Sequence, residues 1–241
     1  MNWSLADLLA LARLSSAAYL ADSKEAVNAL PGMTWIAQVG DLQCQATIAR
    51  WGDLSVVCYR GTQVGKNDVS IPELFDDIEP GAIRVGVQGE AAIGVWQPMD
   101  DLWPEILKVL PAGQVLFTGH SLGGGRAQLS KAKIRSAEVV TFGAICCANH
   151  AFWSEAYGAE QVARLVHEND FAPAWSPGLF EDWCQPGPMA WLHNGTMHEA
   201  SERPDMLISI LDPACVAAHS IDTGYIAALT KLAASPQSAA A

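Results

Sequence analysis

The sequence predicts an α/β protein, with a mainly parallel central sheet and helices packed on both of its faces. The chain has 241 residues, half of them hydrophobic, which is enough to bury the core of one such domain. In its second half, short apolar runs alternate with segments of helical periodicity. This alternation favours parallel strands joined by crossover helices.

The first half begins with a helix and continues as β-structure. Leucines near the start of Met1–Tyr19 recur at the spacing of an amphipathic helix. Three β-rich runs follow, and Gly52-Asp53 between the last two is typical of a hairpin turn. The predicted strands are Met33–Val39, Leu42–Arg50 and Leu54–Arg60.

Helices and strands alternate in the second half. The predicted elements are a strand at Val115–Phe117, a helix at Leu122–Ile134, a strand at Glu138–Phe142, a helix at Asn149–Tyr157, a strand at Val162–Val166 and a last helix from about Ser220. We expect a single domain over residues 1–234 and a disordered tail over residues 235–241.

Composition narrows the classes of function. The net charge of -12 opposes binding to nucleic acid. No apolar run reaches the ~18 residues that cross a bilayer, and no basic segment precedes an apolar block as in a Sec signal peptide. We therefore expect a protein that is cytoplasmic or released without such a signal. The six cysteines are expected to be buried free thiols.

A glycine-flanked serine marks the candidate nucleophile. Gly119-His120-Ser121-Leu122-Gly123 matches the pattern G-x-S-x-G, with a buried strand before it and a helix after it. Such a turn is too tight for side chains two residues either side of the serine, and glycine relieves the crowding. The alternative is a glycine-rich turn that only packs a helix against the sheet.

A serine hydroxyl needs a base to remove its proton and an acid to orient that base. The three residues are expected along the chain in the order serine, acid, histidine. Asp170 is the candidate acid because it follows the serine and comes directly after a predicted strand. Of the later histidines, His219 is favoured because a loop containing Asp212-Pro213 is expected before it and the final helix would anchor that loop. His193 and His198 are the alternatives, in a stretch rich in tryptophan and proline. This stretch is expected to be an irregular cap, either one that also forms part of the pocket, which is favoured, or one that is only packed.

Several motifs together resemble the class 3 lipases, the fungal-lipase-like branch of the α/β-hydrolases. The similar segments are, in order, Leu14–Tyr19, Arg60-Gly61-Thr62, the serine turn extended to Gly124, Asn169-Asp170-Phe171-Ala172-Pro173, Trp191–Thr196 and His219 before a tyrosine-containing helix. The chain departs from the family at Gln88-Gly89, where His-Gly is frequent.

The resemblance implies the α/β-hydrolase fold and a catalytic triad of Ser121, Asp170 and His219. It also implies an oxyanion hole formed by the backbone N–H groups of Thr62 and Leu122. No cofactor or metal is implied. The spacing of Cys184, His193 and His198 matches no common pattern of metal ligands.

The expected reaction is cleavage of a carboxylic ester through an acyl-enzyme, with a small-molecule, lipid or glycan ester as substrate. The alternatives are a glycan O-deacetylase or thioesterase with the same triad, and a non-catalytic binding module. The segment Val64–Ala82, where the family carries its lid, is polar and acidic. This composition predicts a preference for short or medium soluble esters over emulsified triglycerides.

Overall fold

A computed structural model of the chain describes residues 3–62, 78–157, 162–176, 183–200 and 213–235. The N-terminal part comprises helices α1 (Leu5–Ala17) and α2 (Lys24–Asn28) and strands β1 (Met33–Gly40), β2 (Gln45–Trp51) and β3 (Leu54–Tyr59). These elements confirm the predicted helix and three strands. β2 begins three residues later than predicted, because Asp41 accepts hydrogen bonds from the amides of Gln43 and Cys44 and so holds a turn there.

The middle of the chain contains β4 (Ala82–Val85), β5 (Gly89–Ala92), α3 (Ile93–Val109), β6 (Gln114–His120), α4 (Leu122–Ser130), β7 (Glu138–Phe142), β8 (Ala148–Asn149), α5 (His150–Tyr157) and β9 (Ala163–His167). The C-terminal part contains β10 (Trp183–Cys184), β11 (Met189–His193), β12 (Thr196–Ala200), α6 (Pro213–His219), a π-helical segment (Ile221–Ile226) and α7 (Ala227–Ala233). The alternation predicted for the second half is confirmed, although α4 ends four residues before the predicted boundary.

The central sheet has eight strands in the order β1-β2-β3-β6-β7-β9-β11-β12. The five strands from β3 to β11 are parallel to one another. The pairs β1–β2, β2–β3 and β11–β12 toward the two edges are antiparallel. Gly119 on β6 lies opposite Tyr59 on one side and Thr141 on the other. The serine turn therefore leaves the middle of the sheet at the carboxyl ends of its parallel strands.

Each face of the sheet is covered by helices, as the sequence predicts. Helices α3, α4 and α5 bury one face, to which Phe117 of β6 contributes. α1 and the C-terminal helices bury the other face, to which the neighbouring Leu116 contributes. Alternate residues of a strand point to opposite faces, so the continuously apolar run in β6 serves both cores.

Two expectations about the segment before His219 are wrong. The stretch that contains His193 and His198 is not an irregular cap over its described part, because β11 pairs in parallel with β9 and β12 pairs antiparallel with β11. The backbone directly before His219 is helix α6, not a loop. The helix turns the chain back toward the sheet and places the imidazole at its C-terminal end.

Some expectations fall wholly or partly outside the described residues. Residues 64–77 of the segment Val64–Ala82 and residues 236–241 of the predicted tail lie outside the described residues. All six cysteines are described as free thiols, five of them buried and Cys184 partly exposed. None of the described helices combines the length and the hydropathy needed to span a bilayer.

Helix α4 lies unusually close to the end of β3. A Cβ atom on Gly123 would stand 2.2 Å from the carbonyl oxygen of Tyr59, which is a backbone atom. A Cβ atom on Gly125 would stand 2.9 Å from Cγ1 of Ile145, which belongs to a side chain. Only the second neighbour can move without shifting a strand.

Gly123→Ala is therefore expected to cost about 3 kcal/mol of folding free energy or more, since the added methyl group displaces backbone. Gly125→Ala is the matched control on the same helix and should cost clearly less, since alanine also favours helix over glycine. Denaturant unfolding of both variants measures the difference. Equal stabilities would show that α4 can move away from β3.

Candidate active site

The backbone at Ser121 has a conformation that few residues other than glycine adopt. Its φ is 60° and its ψ is -127°, between the last residue of β6 and the first of α4. The Ser121 amide donates to the Phe142 carbonyl at 3.0 Å, which fixes the turn to the neighbouring strand β7. Strained backbone of this kind persists where the surrounding structure holds it, and it directs the hydroxyl out of the sheet.

A linear set of hydrogen bonds joins the three residues expected to be catalytic. His219 Nε2 lies 2.9 Å from Ser121 Oγ, and His219 Nδ1 lies 2.9 Å from Asp170 Oδ1. A carboxylate only accepts, so Nδ1 carries the proton and Nε2 is left to accept from the serine hydroxyl. The structure thus brings Ser121, Asp170 and His219 together from β6, the loop after β9, and the end of α6.

Asp170 is fully buried, and its carboxylate is surrounded by donors. Oδ1 accepts from the Ala172 amide at 2.9 Å in addition to His219, and Oδ2 accepts from the Tyr225 hydroxyl at 2.5 Å. Burial by itself would raise the pKa of Asp170. The charge and hydrogen bond of His219, with the bonds from Tyr225 and Ala172, outweigh it and hold that pKa below its usual value.

Space around this carboxylate exists because Gly143, at the end of β7, has no side chain. Its φ is +55°, and a Cβ atom there would stand 2.3 Å from Asp170 Oδ2 and 2.8 Å from the Tyr225 hydroxyl. Glycine at position 143 is therefore required for two reasons: the backbone there is left-handed, and the Asp170 carboxylate approaches it closely.

The chain that follows β3, up to Thr62, runs across the serine turn and is called the exit from β3. A Cβ atom on Gly61 would stand 2.7 Å from the His120 carbonyl oxygen, which places the next residue, Thr62, beside the turn. Thr62 Oγ1 is buried and has no hydrogen-bond partner among the described residues. Leu122, at the start of α4, follows the serine, and the first N–H groups of a helix have no partner within it.

The two alternative bases lie elsewhere. His193 Nδ1 pairs with the Glu168 carboxylate at 2.7 Å, and His198 Nε2 lies 2.5 Å from Thr196 Oγ1. Neither ring is bonded to Ser121. Within the described ranges, no group of three or more histidine, cysteine or acidic side chains is arranged to hold a metal ion.

Sequence reasoning missed the contacts of Tyr225 and His120. The spacing of apolar residues in the last helix puts Tyr225 on its buried face, but no local pattern indicates that its hydroxyl reaches an acid 55 residues earlier. His120 comes directly before the serine, and its Nε2 lies 2.6 Å from the His219 carbonyl oxygen. A tyrosine among aliphatic residues on a buried helix face was the one available signal, because a buried hydroxyl needs a partner.

The pKa of Asp170 in the folded protein is lower than the usual carboxyl value of about 3.9. The ionised carboxylate therefore stabilises the fold above about pH 3.9. This stabilisation is lost as the pH falls through the pKa of Asp170 in the folded protein. Tyr225→Phe removes one donor and moves that pKa back toward its usual value. The variant should be less stable by about 1.5–3 kcal/mol near pH 7, and its deficit should shrink below about pH 4. Thermal unfolding between pH 3 and 7 measures it.

The matched control is Tyr157→Phe, because the Tyr157 hydroxyl donates at 2.7 Å to the Gln128 carbonyl, which does not titrate. Its deficit should be independent of pH. A Tyr225→Phe deficit that is equally independent of pH would contradict the account of Asp170.

Comparison with solved structures identifies the fold. The Rhizomucor miehei triacylglyceride lipase matches with a TM-score of 0.70 and 18% identity over 88% of this chain and 93% of that one. Lipase II from Rhizopus niveus gives 0.66 and 19% over 86% and 92%. The lipase from Rhizopus microsporus var. chinensis gives 0.62 and 21% over 83% and 75%. All three share the α/β-hydrolase fold with this chain.

The family model described as lipase (class 3) matches residues 56–180, more than half of the chain. The matched stretch contains Thr62, Ser121, Leu122 and Asp170, so it includes the serine turn, the acid and the exit from β3. The chain therefore belongs to the class 3 lipase family and is a carboxylic ester hydrolase.

Proposed function

We propose that Ser121 is the nucleophile of this hydrolase, His219 its general base and Asp170 the acid that orients the base. One observation carries the proposal: the continuous set of hydrogen bonds from the buried Asp170 carboxylate through both nitrogens of His219 to the Ser121 hydroxyl. One of the similar structures is a triacylglycerol lipase whose catalytic centre is a serine protease triad. The same three roles are filled here in the chain order serine, acid, histidine.

In the acylation step, Ser121 Oγ attacks the ester carbonyl carbon while His219 Nε2 takes the hydroxyl proton. The imidazolium formed in this step is stabilised by Asp170, which is ionised at neutral pH because its pKa is lowered. His219 then donates the proton to the departing alkoxide, and an alcohol leaves. In the second half of the cycle, water attacks the acyl-enzyme with His219 as base, which releases the carboxylic acid and restores the serine.

The oxyanion that develops in both steps is assigned to the N–H groups of Thr62 and Leu122. The Leu122 amide lies at the positive end of α4, directly after the nucleophile. The Thr62 hydroxyl, which has no hydrogen-bond partner among the described residues, supplies a third donor. A buried donor without a partner is costly in the free protein, and it is satisfied when negative charge forms beside it.

Replacing the nucleophile tests the triad. Ser121→Ala is expected to lower kcat for an activated ester by about three orders of magnitude or more, because the members of a triad act as a unit. It should also abolish covalent labelling by a fluorophosphonate, which reacts only with an activated serine. Ser55→Ala is the matched control, since this buried β3 hydroxyl donates to the Pro111 carbonyl. Labelling of the Ser121→Ala protein would assign the nucleophile to another residue.

For the substrate, we propose short or medium acyl esters that are dissolved in water. The segment Val64–Ala82 is acidic and polar, and the net charge of -12 opposes docking to an anionic interface. Each buried methylene of an acyl chain contributes about 0.8 kcal/mol, so a long apolar groove would favour long chains progressively. A shallow pocket would gain nothing beyond the first few carbons.

The measurement is kcat/KM for p-nitrophenyl esters from acetate to palmitate. We expect the value to level off after a few carbons, because additional methylenes stay in water in the transition state. Triglyceride followed across its emulsion threshold is the companion assay, in which no jump in rate is expected. A continuous rise to palmitate, or activation when the interface forms, would instead assign the protein as a lipase of long-chain fats.

A further inference from the structure

The last two carbonyl groups of α6, those of Ala218 and His219, each lie against a histidine ring from a different strand. His120 Nε2 is 2.6 Å from the His219 carbonyl oxygen, and His167 Nδ1 is 3.0 Å from the Ala218 carbonyl oxygen. His120 ends β6 directly before Ser121, and His167 ends β9 three residues before Asp170. The backbone of the base is therefore bonded to the strands that carry the nucleophile and the acid.

The direction of these bonds follows from the acceptors. A carbonyl oxygen cannot donate, so His120 Nε2 and His167 Nδ1 both carry protons. Burial, and then the charge of His219, lower the pKa of His120 to about 3, so this ring is neutral at physiological pH. Its Nδ1 is consequently an acceptor.

Tyr19 fills that acceptor. Its hydroxyl lies 2.8 Å from His120 Nδ1, and burial raises its pKa, so the hydroxyl stays protonated and donates. The Tyr19 hydroxyl thus donates to His120 Nδ1, and His120 Nε2 donates to the His219 carbonyl oxygen. The same hydroxyl would be 2.2 Å from a Cβ atom on Gly61, so Tyr19 also contacts the exit from β3 that leads to Thr62.

The packing around His167 leaves no space for a side chain at Gly224 of the π-helical segment. A Cβ atom on Gly224 would stand 2.6 Å from the Ala218 carbonyl oxygen and 3.1 Å from His167 Nδ1. Glycine at this position preserves the hydrogen bond between the two groups. Carbonyls at the end of a helix have no partner within it, and here imidazole donors supply one.

We propose that His120 and His167 are positioning residues, which fix the backbone of His219 so that its ring stays aligned between Ser121 and Asp170. Tyr19 acts through His120 by holding its ring in the donating orientation. The proposal rests on His219 being the base. Neither histidine is bonded to the Ser121 hydroxyl, whose hydrogen bond goes to His219.

The test compares variants that keep each donor with variants that remove it. His120→Gln places an amide nitrogen about as far out as Nε2, and His167→Asn places one about as far out as Nδ1, whereas leucine at either site has no donor. We expect each leucine variant to lose about 10- to 100-fold in kcat, the range that a misplacement of the base by about 1 Å produces, with KM within about twofold of wild type. The Gln and Asn variants should recover most of that loss.

Two further readouts separate positioning from a purely structural role. The downfield proton resonance of His219 Nδ1–H, which reports its bond to Asp170, should broaden or disappear in the leucine variants and persist in His120→Gln and His167→Asn. Tyr19→Phe should lower kcat several-fold, because it removes only the hydroxyl that orients His120. Its matched control, Tyr157→Phe, should keep wild-type kcat.

If a leucine variant does not fold, His120→Asn, whose amide is too short for the His219 carbonyl, replaces it in the comparison with His120→Gln. Wild-type kcat in folded variants that lack the donor would overturn the proposal. It would also be overturned if His120→Gln and His167→Asn were as impaired as the leucine variants. Failure of the triad itself has a different signature, because Ser121→Ala would then stay active whatever the histidine variants do.

Discussion

The structure depends on how closely backbone surrounds the serine turn. Gly119 and Gly123 lie against one another, since a Cβ atom on Gly119 would stand 2.5 Å from the Gly123 carbonyl carbon. Gly123 in turn lies against the Tyr59 carbonyl oxygen. No side chain fits between these groups, so β3, β6 and α4 can meet only if glycine occupies these positions. This approach brings the exit from β3 beside Ser121.

A second constraint is the burial of the Asp170 carboxylate. A buried charge is costly unless donors surround it, and here the donors come from three parts of the chain: His219, Tyr225 and the Ala172 amide. Satisfying the carboxylate therefore also brings α6, the π-helical segment and the loop after β9 together. The buried carboxylate thus joins these C-terminal elements to the sheet.

The sequence predicted the parts of the molecule whose causes are local. Period and composition located six strands of the central sheet and the helices α1, α4, α5 and the last one, and the steric need for glycine located Ser121. The helices α2, α3 and α6 and the strands β4, β5, β8, β10, β11 and β12 were not predicted. Of these, α6 is short, and β11 owes its place to pairing with β9. The contacts of Tyr19 with His120 and of His120 with His219 join residues 101 and 99 positions apart, and no local pattern records them.

The distribution of the site along the chain has a consequence for synthesis. Ser121 leaves the ribosome with β6 and α4 long before the C-terminal segment that carries His219 is made. Until then the serine hydroxyl lacks its hydrogen bond to His219, and the Asp170 carboxylate lacks two of its donors, His219 and Tyr225. With His219 as the proposed base, a nascent chain cannot yet activate the proposed nucleophile. The hydrogen bonds of the proposed triad can form only when the C-terminal helices pack beside α1, so the site is completed together with the fold.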